Sequence, residues 1–234
     1  LFFKKYGDST SCDFVGSMSL SLTGNILLGG SKTDICFTSI FKSSSWISEI
    51  DTNGSVLWEW IDTSSSKFGI TGNIVQTKDK GWLYCGIYLD SIGFNNKYIQ
   101  GFVTRRDSTF HEEWTKVFGN PTDITNGFFT LVPTSDTTFL IGGDYTIGQP
   151  YQPANPYQKF GWLLNLSLQK GDTIWSTIIR ADWDLNKSAQ TFLNGLGILS
   201  NGAIIAYGYI ATTTPFHNNK AWFTKLYKFR IEYD

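Results

Sequence analysis

Four stretches of the chain repeat one pattern of polar and apolar positions. Each has a short apolar segment closed by a small residue, a polar turn, and a continuous apolar run ending in glycine. The first is Phe14-Val15-Gly16, Thr23-Gly24-Asn25 and Ile26-Leu27-Leu28-Gly29-Gly30. The second is Ile70-Thr71-Gly72, Asp79-Lys80-Gly81 and Trp82-Leu83-Tyr84-Cys85-Gly86. The third is Asn126-Gly127, Ser135-Asp136-Thr137 and Phe139-Leu140-Ile141-Gly142-Gly143. The fourth is Asn194-Gly195, Ser200-Asn201-Gly202 and Ile204-Ile205-Ala206-Tyr207-Gly208. The closing glycines Gly30, Gly86, Gly143 and Gly208 recur at intervals of roughly 60 residues, the scale of one repeated supersecondary unit.

Two further anchors keep the same phase. Trp46-Ile47-Ser48-Glu49-Ile50 matches Gly101-Phe102-Val103-Thr104, Gly161-Trp162-Leu163-Leu164 and Ala221-Trp222-Phe223-Thr224. Trp58, Trp114 and Trp175 each follow a polar turn. A tryptophan recurring at one position of a repeat is expected to pack between neighbouring units. Each repeat therefore reads as four strands, A to D. A and B form a tight hairpin through residues that tolerate positive φ. The wholly apolar B strand is expected to be covered on both faces.

A four-stranded antiparallel unit that cannot bury both faces alone must stack on its neighbours, as propeller blades do. The expected fold is all-β, a single β-propeller domain over residues 1–234. Its four blades span approximately 8–61, 62–118, 119–179, and 180–234 plus 1–7. Phe2-Phe3-Lys4-Lys5-Tyr6-Gly7 resembles the D strand Trp114-Thr115-Lys116-Val117-Phe118-Gly119, and the last repeat stops after its C strand. The N-terminal strand is expected to pair with Trp222–Leu226 and close the ring, hiding two edges that would otherwise invite aggregation.

The combination of polar turn, apolar run ending in Gly and Asp-x-Asn-Gly before Leu-Trp resembles the propeller repeats exported by the Bacteroidota type IX secretion pathway. Lys4-Lys5-Tyr6-Gly7-Asp8 and Asp51-Thr52-Asn53-Gly54-Ser55-Val56-Leu57-Trp58 carry the likeness. It implies an extracellular or cell-surface setting associated with the outer membrane, and it implies no activity. Asp-Ser/Thr-x triplets of the kind such bacteria O-glycosylate fall at Ser9, Ser91, Ser108, Thr137 and Thr173. The same triplets are ordinary turn composition.

Charge and composition narrow the function. A net charge of −1 gives no electrostatic footprint for nucleic acid. No apolar run approaches the ~20 residues of a membrane helix, so no direct membrane insertion is expected. The cysteines Cys12, Cys36 and Cys85 fit no zinc spacing. Cys12 lies in a D–A connection and Cys36 in the following B–C loop, which emerge on one face of a meander. A Cys12–Cys36 disulfide worth roughly 3 kcal/mol is therefore expected. Cys85, in an apolar B strand, should be a buried free thiol.

No catalytic constellation emerges. His111 and His217 fall in a turn and a loop, with no nucleophile elbow in the chain. The Asp51–Gly54 turn departs from the Asp-box of sialidase-like propellers in spacing, with Glu49 in place of its serine. Only Arg105, Arg106, Arg180 and Arg230 are available to hold a carboxylate substrate. That turn also lacks the further acidic ligands of a calcium loop. Asp34, Asp90 and Asp144 read most simply as solvated loop residues. Neither metal nor cofactor is expected.

The B–C loops, spanning roughly Ser31–Ser45, Tyr88–Gln100, Asp144–Phe160 and Ile210–Lys220, exceed the ~4–6 residues typical of compact domains. They emerge at one end of the blades and carry aromatics that differ between repeats: Phe37, Phe41, Phe94, Tyr98, Tyr145, Tyr151, Tyr157 and Phe216. The expectation is a non-catalytic binding or scaffold module that engages a protein or glycan at the cell surface, or an outer-membrane complex. The alternative is a polysaccharide-active hydrolase or lyase, which would need an acidic pair such as could come from Asp144, Asp182 or Asp184.

Overall fold

The computed structural model describes residues 13–33, 43–62, 68–89, 99–119, 126–147, 158–179, 189–212 and 220–226. Over these residues the chain is all-β, with four antiparallel sheets in chain order. The first holds β1 (Phe14–Leu20), β2 (Ile26–Thr33), β3 (Ser43–Ile50) and β4 (Val56–Ile61). The second holds β5 (Phe68–Gln76), β6 (Trp82–Leu89), β7 (Ile99–Arg106) and β8 (Glu112–Phe118). The third holds β9 (Gly127–Pro133), β10 (Thr138–Ile147), β11 (Gln158–Ser167) and β12 (Thr173–Ile179). The fourth has three strands among the described residues, β13 (Ala189–Ile198), β14 (Ile204–Thr212) and β15 (Lys220–Leu226). Each sheet is a meander in which consecutive strands are neighbours. The repeat read from the sequence is thus a repeat of blade-like sheets.

The chain forms two compact units, Leu1–Phe129 and Thr130–Asp234. In the first unit, β5 lies across β1, β2 and β3. The seam between the sheets is filled by Leu27 and Ile47 from one side and Ile74, Trp82, Tyr84 and Phe102 from the other. Trp58 packs on this core, its ring 5.1 Å from that of Trp82 and edge-on to it. In the second unit β13 lies across β10 and β11. Its core is Leu140, Leu163 and Ile204, with Trp175 packed against them. The recurring tryptophans Trp58 and Trp175 are therefore seam residues, and Trp114 is half-buried on β8.

A backbone irregularity explains the first anchor. The register shifts between Val15 and Ser17 in β1, between Thr71 and Asn73 in β5, and between Leu193 and Gly195 in β13. The first strands of three sheets thus carry a bulge at or beside the small residue that closes the apolar segment: Gly16, Gly72 and Asn194. A bulge bends its strand toward the partner. The closing glycine of the B run is where that approach is tightest, because a Cβ on Gly30 would lie 1.8 Å from the Phe14 carbonyl oxygen.

Five of the tight turns share one hydrogen-bond pattern. In residues 21–25, 51–55, 77–81, 107–111 and 199–203, the first residue's N–H donates to the fifth residue's carbonyl. The fourth residue's N–H donates back to the first residue's carbonyl. The fourth residue takes positive φ, as in a three-residue hairpin loop with a bulge. Glycine supplies it at Gly24, Gly54 and Gly202, whereas Lys80 (φ 66°) and Phe110 (φ 69°) hold it with side chains. Left-handed backbone costs a non-glycine residue about 1 kcal/mol. Lys80 is exposed, so Lys80→Gly should raise the unfolding free energy by up to about 1 kcal/mol in a urea titration. Phe110→Gly should lower it by about 2 kcal/mol, because the Phe110 ring packs among Trp58, Trp60 and Trp82.

Candidate functional site

Each sheet has two unlike ends. At one end sit the tight turns, and there the ionisable side chains serve the backbone. Asp51 Oδ1 accepts the N–H groups of Asn53 and Ser55, and Asp107 Oδ1 accepts those of Thr109 and His111. His111 itself is exposed. Glu49 is buried and accepts the indole N–H of Trp58 at 2.6 Å and the amide of Asn25 at 2.9 Å. Burial raises the Glu49 pKa, but the hydrogen bonds from Asn25, Trp58, Ser21 and Thr23 outweigh it and hold the carboxyl below its ordinary value. Arg105 is clamped between Asp79 and Glu113. The Arg106 guanidinium lies 4.6 Å from the centre of the Trp60 ring and donates to the Phe110 carbonyl at 2.9 Å. The Glu49 that stood in place of an Asp-box serine is thus a staple between β3 and β4.

The other end of each sheet leads into the B–C connections. Here the strands run further than the sequence suggested. β2 continues to Thr33 and β3 begins at Ser43; β6 reaches Leu89 and β7 begins at Ile99; β10 reaches Ile147 and β11 begins at Gln158. β14 reaches Thr212 and β15 begins at Lys220. Tyr145 is therefore a strand residue of β10, its ring 5.1 Å from that of Trp162 across the β10–β11 pair. The other aromatics singled out for binding, Phe37, Phe41, Phe94, Tyr98, Tyr151, Tyr157 and Phe216, lie outside the described residues. So do Cys12, Cys36, Ser9, Ser91, His217, Asp34, Asp90, Asp182, Asp184 and the N-terminal strand. Ser108 and Thr137 are exposed at turns, and Thr173 is exposed at the start of β12.

Asp144 is a correction to the sequence reading. It is not a solvated loop residue: it sits in β10 directly after Gly143 and is 4% exposed. Its Oδ1 accepts the backbone N–H of Leu193 at the β13 bulge, and its Oδ2 accepts Lys159 Nζ, each at 3.3 Å. Lys159 also lies 4.8 Å from the centre of the Phe192 ring, which stacks on Tyr209 at 4.4 Å. Burial pushes the Asp144 carboxyl up to about 6, against the opposing pull of Lys159 and the Leu193 N–H. Burial and the nearby Asp144 charge raise Tyr209 as well.

The first unit has the corresponding position in another chemistry. Asp144 pairs with Gly161, and Thr146 with Lys159, as Ser31 pairs with Ser45 and Thr33 with Ser43. Ser31 and Ser43 thus stand where Asp144 and Lys159 stand in the second unit. The buried hydroxyls of Ser43 and Ser45 have no hydrogen-bond partner among the described residues. The sequence carried a usable signal for this site: the residue after the closing glycine is Ser31, Ile87, Asp144 or Tyr209, and the B-strand alternation places it on one face throughout.

Cys85 is a free thiol, fully buried, and burial raises its pKa well above that of an exposed cysteine. Among the described residues no group of three or more His, Cys, Asp or Glu side chains converges as metal ligands. No protein-family model matches the chain, and no curated protein matches it.

Proposed function

We propose that the chain is a non-catalytic binding or scaffold module, secreted or held at the cell surface, that engages a protein or glycan through the B–C ends of its sheets. The observation that carries this reading is the asymmetry of the sheets. One end is closed by tight turns whose carboxylates are spent on backbone N–H groups. The other end leads into residues 34–42, 90–98, 148–157 and 213–219, where Phe37, Phe41, Phe94, Tyr98, Tyr151, Tyr157 and Phe216 fall. Varied aromatic side chains on a rigid scaffold are what a contact surface uses, because each offers large area for few torsions. Tyr145 is assigned to packing, through Trp162.

The same reading includes a closed four-bladed ring, for which two open faces argue. In the first unit, Met18 follows the β1 bulge as Ile74 follows that of β5. Ile74 is fully buried on the preceding sheet, whereas Met18 is 70% exposed, alongside Phe14 and Leu20. In the second unit, Tyr207 stands at the position of Gly29 and Gly142, which face the next sheet through Ile74 and Leu193 respectively, and it is 51% exposed. Among the described residues, no sheet of the first unit covers the first face and none of the second unit covers the other. Joining them, with the fourth blade completed by residues 2–6, satisfies both.

Binding is tested by replacing Tyr151 and Tyr157 with alanine. The immobilised chain is challenged with a glycan array and with detergent-extracted Bacteroidota outer membranes. The expected result is at least a tenfold loss of whichever capture the parent chain shows, with an unchanged melting temperature. Undiminished capture by the variant, or polysaccharide cleavage by the parent chain, would overturn the proposal.

A further inference from the structure

The third and fourth sheets of the second unit meet along a seam whose centre is apolar: Leu140, Leu163 and Ile204, with Leu196 packed against them. Toward the B–C end that seam contains, among the described residues, one carboxylate, Asp144. It ties the two sheets through a backbone donor, the Leu193 N–H at the β13 bulge, beside a second such link from the Leu196 N–H to Thr130 Oγ1. Among the described residues, the ionisable groups facing it are Lys159 from β11 and Tyr209 from β14, and β13 has no ionisable residue. An ionised carboxylate offers about four lone-pair sites, and among the described residues two donors reach Asp144, both at 3.3 Å. Lys159 is itself mostly buried, so water does little to complete the shell. A buried charge with an incomplete shell is costly, and a proton removes that cost.

We propose that Asp144 is a proton-binding joint between the third and fourth sheets, which holds the seam most firmly when its carboxyl is protonated in mildly acidic surroundings. The Leu193 N–H can donate to either protonation state, so proton uptake keeps the link between the sheets. What changes is the pairing with Lys159, which is released toward solvent and the face of Phe192. The carboxyl titrates at about 6 in the fold, against an ordinary 3.8. Because the folded-state value is the raised one, the stabilisation is fully present below about pH 4 and is lost as pH rises through about 6.

The test is chemical denaturation of the full chain between pH 4 and 8, beside a carboxyl-carbon NMR titration of Asp144. From pH 4 to 7 the equilibrium constant for unfolding should rise roughly 50-fold on account of this group. Asp144→Asn keeps the shape and an acceptor for the Leu193 N–H, and it should remove that component of the profile. Lys159→Met takes away the charge that opposes protonation and should move the Asp144 midpoint further up. An unchanged pH profile in Asp144→Asn, or an Asp144 midpoint below 4.5 in the unmodified chain, would overturn the proposal. The NMR midpoint needs no variant, so the test survives if either substitution fails to fold.

Discussion

Replacing either Gly30 or Gly86 with alanine is expected to abolish the native fold. A Cβ on Gly30 would lie 1.8 Å from the carbonyl oxygen of Phe14, and one on Gly86 would lie 1.9 Å from that of Ile70. In both cases the obstacle is backbone in a paired strand, which no rotamer change can clear. The bulges at Gly16 and Gly72 press those carbonyls against the B strand, so relief requires the β1–β2 or β5–β6 pairing to come apart. A clash of this kind costs more than about 4 kcal/mol, a large part of the 5–15 kcal/mol that keeps a typical domain folded. Two other glycines separate this effect from general intolerance. Gly197 in β13 has nothing within 4 Å of an added Cβ and no positive φ, so Gly197→Ala should be neutral or stabilising by up to about 1 kcal/mol. Gly24 has open space but φ of +83°, so Gly24→Ala should cost about 1 kcal/mol from the backbone alone. Urea midpoints of the four variants should rank Gly197→Ala above Gly24→Ala, with Gly30→Ala and Gly86→Ala lacking a cooperative transition. Native-like transitions in the last two would show that the bulges are soft.

These glycines also show what the sequence could disclose. At Gly30 and Gly86 the recurrence is enforced by a close backbone approach, and such a constraint leaves a periodic trace. Trp58 and Trp175 left theirs for a similar reason, since each packs into the seam of a stacked pair of sheets within its unit. The ends of the strands left none. Ser43-Ser44-Ser45 reads as loop by composition, yet it continues β3 because Ser31, Lys32 and Thr33 provide backbone partners. Hydrophobic alternation fades where a strand leaves the core, while the ladder persists as long as two backbones stay side by side. Asp144 was misplaced for that reason: a charge after a glycine looks like the start of a loop. Its partners, Lys159 and the Leu193 N–H, are distant in sequence and become neighbours only through sheet register and stacking. Lys80 and Phe110 were equally hidden, because the turn's hydrogen bonds rather than the residue's own preference set the positive φ.

Two aspartate substitutions at repeat-equivalent positions test ring closure. Ile74→Asp puts a carboxyl into the seam of the first unit, among Leu27, Ile47 and Phe102. It should cost more than about 4 kcal/mol at neutral pH, since it removes a buried side chain and adds a polar group without partners. Part of that loss should return as pH falls, because burial favours the protonated acid. Met18→Asp makes the same exchange at the matching position of β1, which no sheet of the first unit covers. On an open face it would change stability by less than about 0.5 kcal/mol. If the ring is closed, a blade lies on Met18 as the second sheet's Ile74 lies on the first, and the cost should be about 2–4 kcal/mol with the same recovery in acid. Leu57 on β4, 52% exposed, supplies the comparison for a surface leucine, and Leu57→Asp should stay within about 0.5 kcal/mol of the parent. The expected result is that Met18→Asp falls with Ile74→Asp rather than with Leu57→Asp. Behaviour of Met18→Asp indistinguishable from Leu57→Asp would mean that the face is open in solution, and closure by the fourth blade would have to be abandoned. The contrast is informative because the bulges fix both positions in one register, leaving the presence of a covering sheet as the difference that matters.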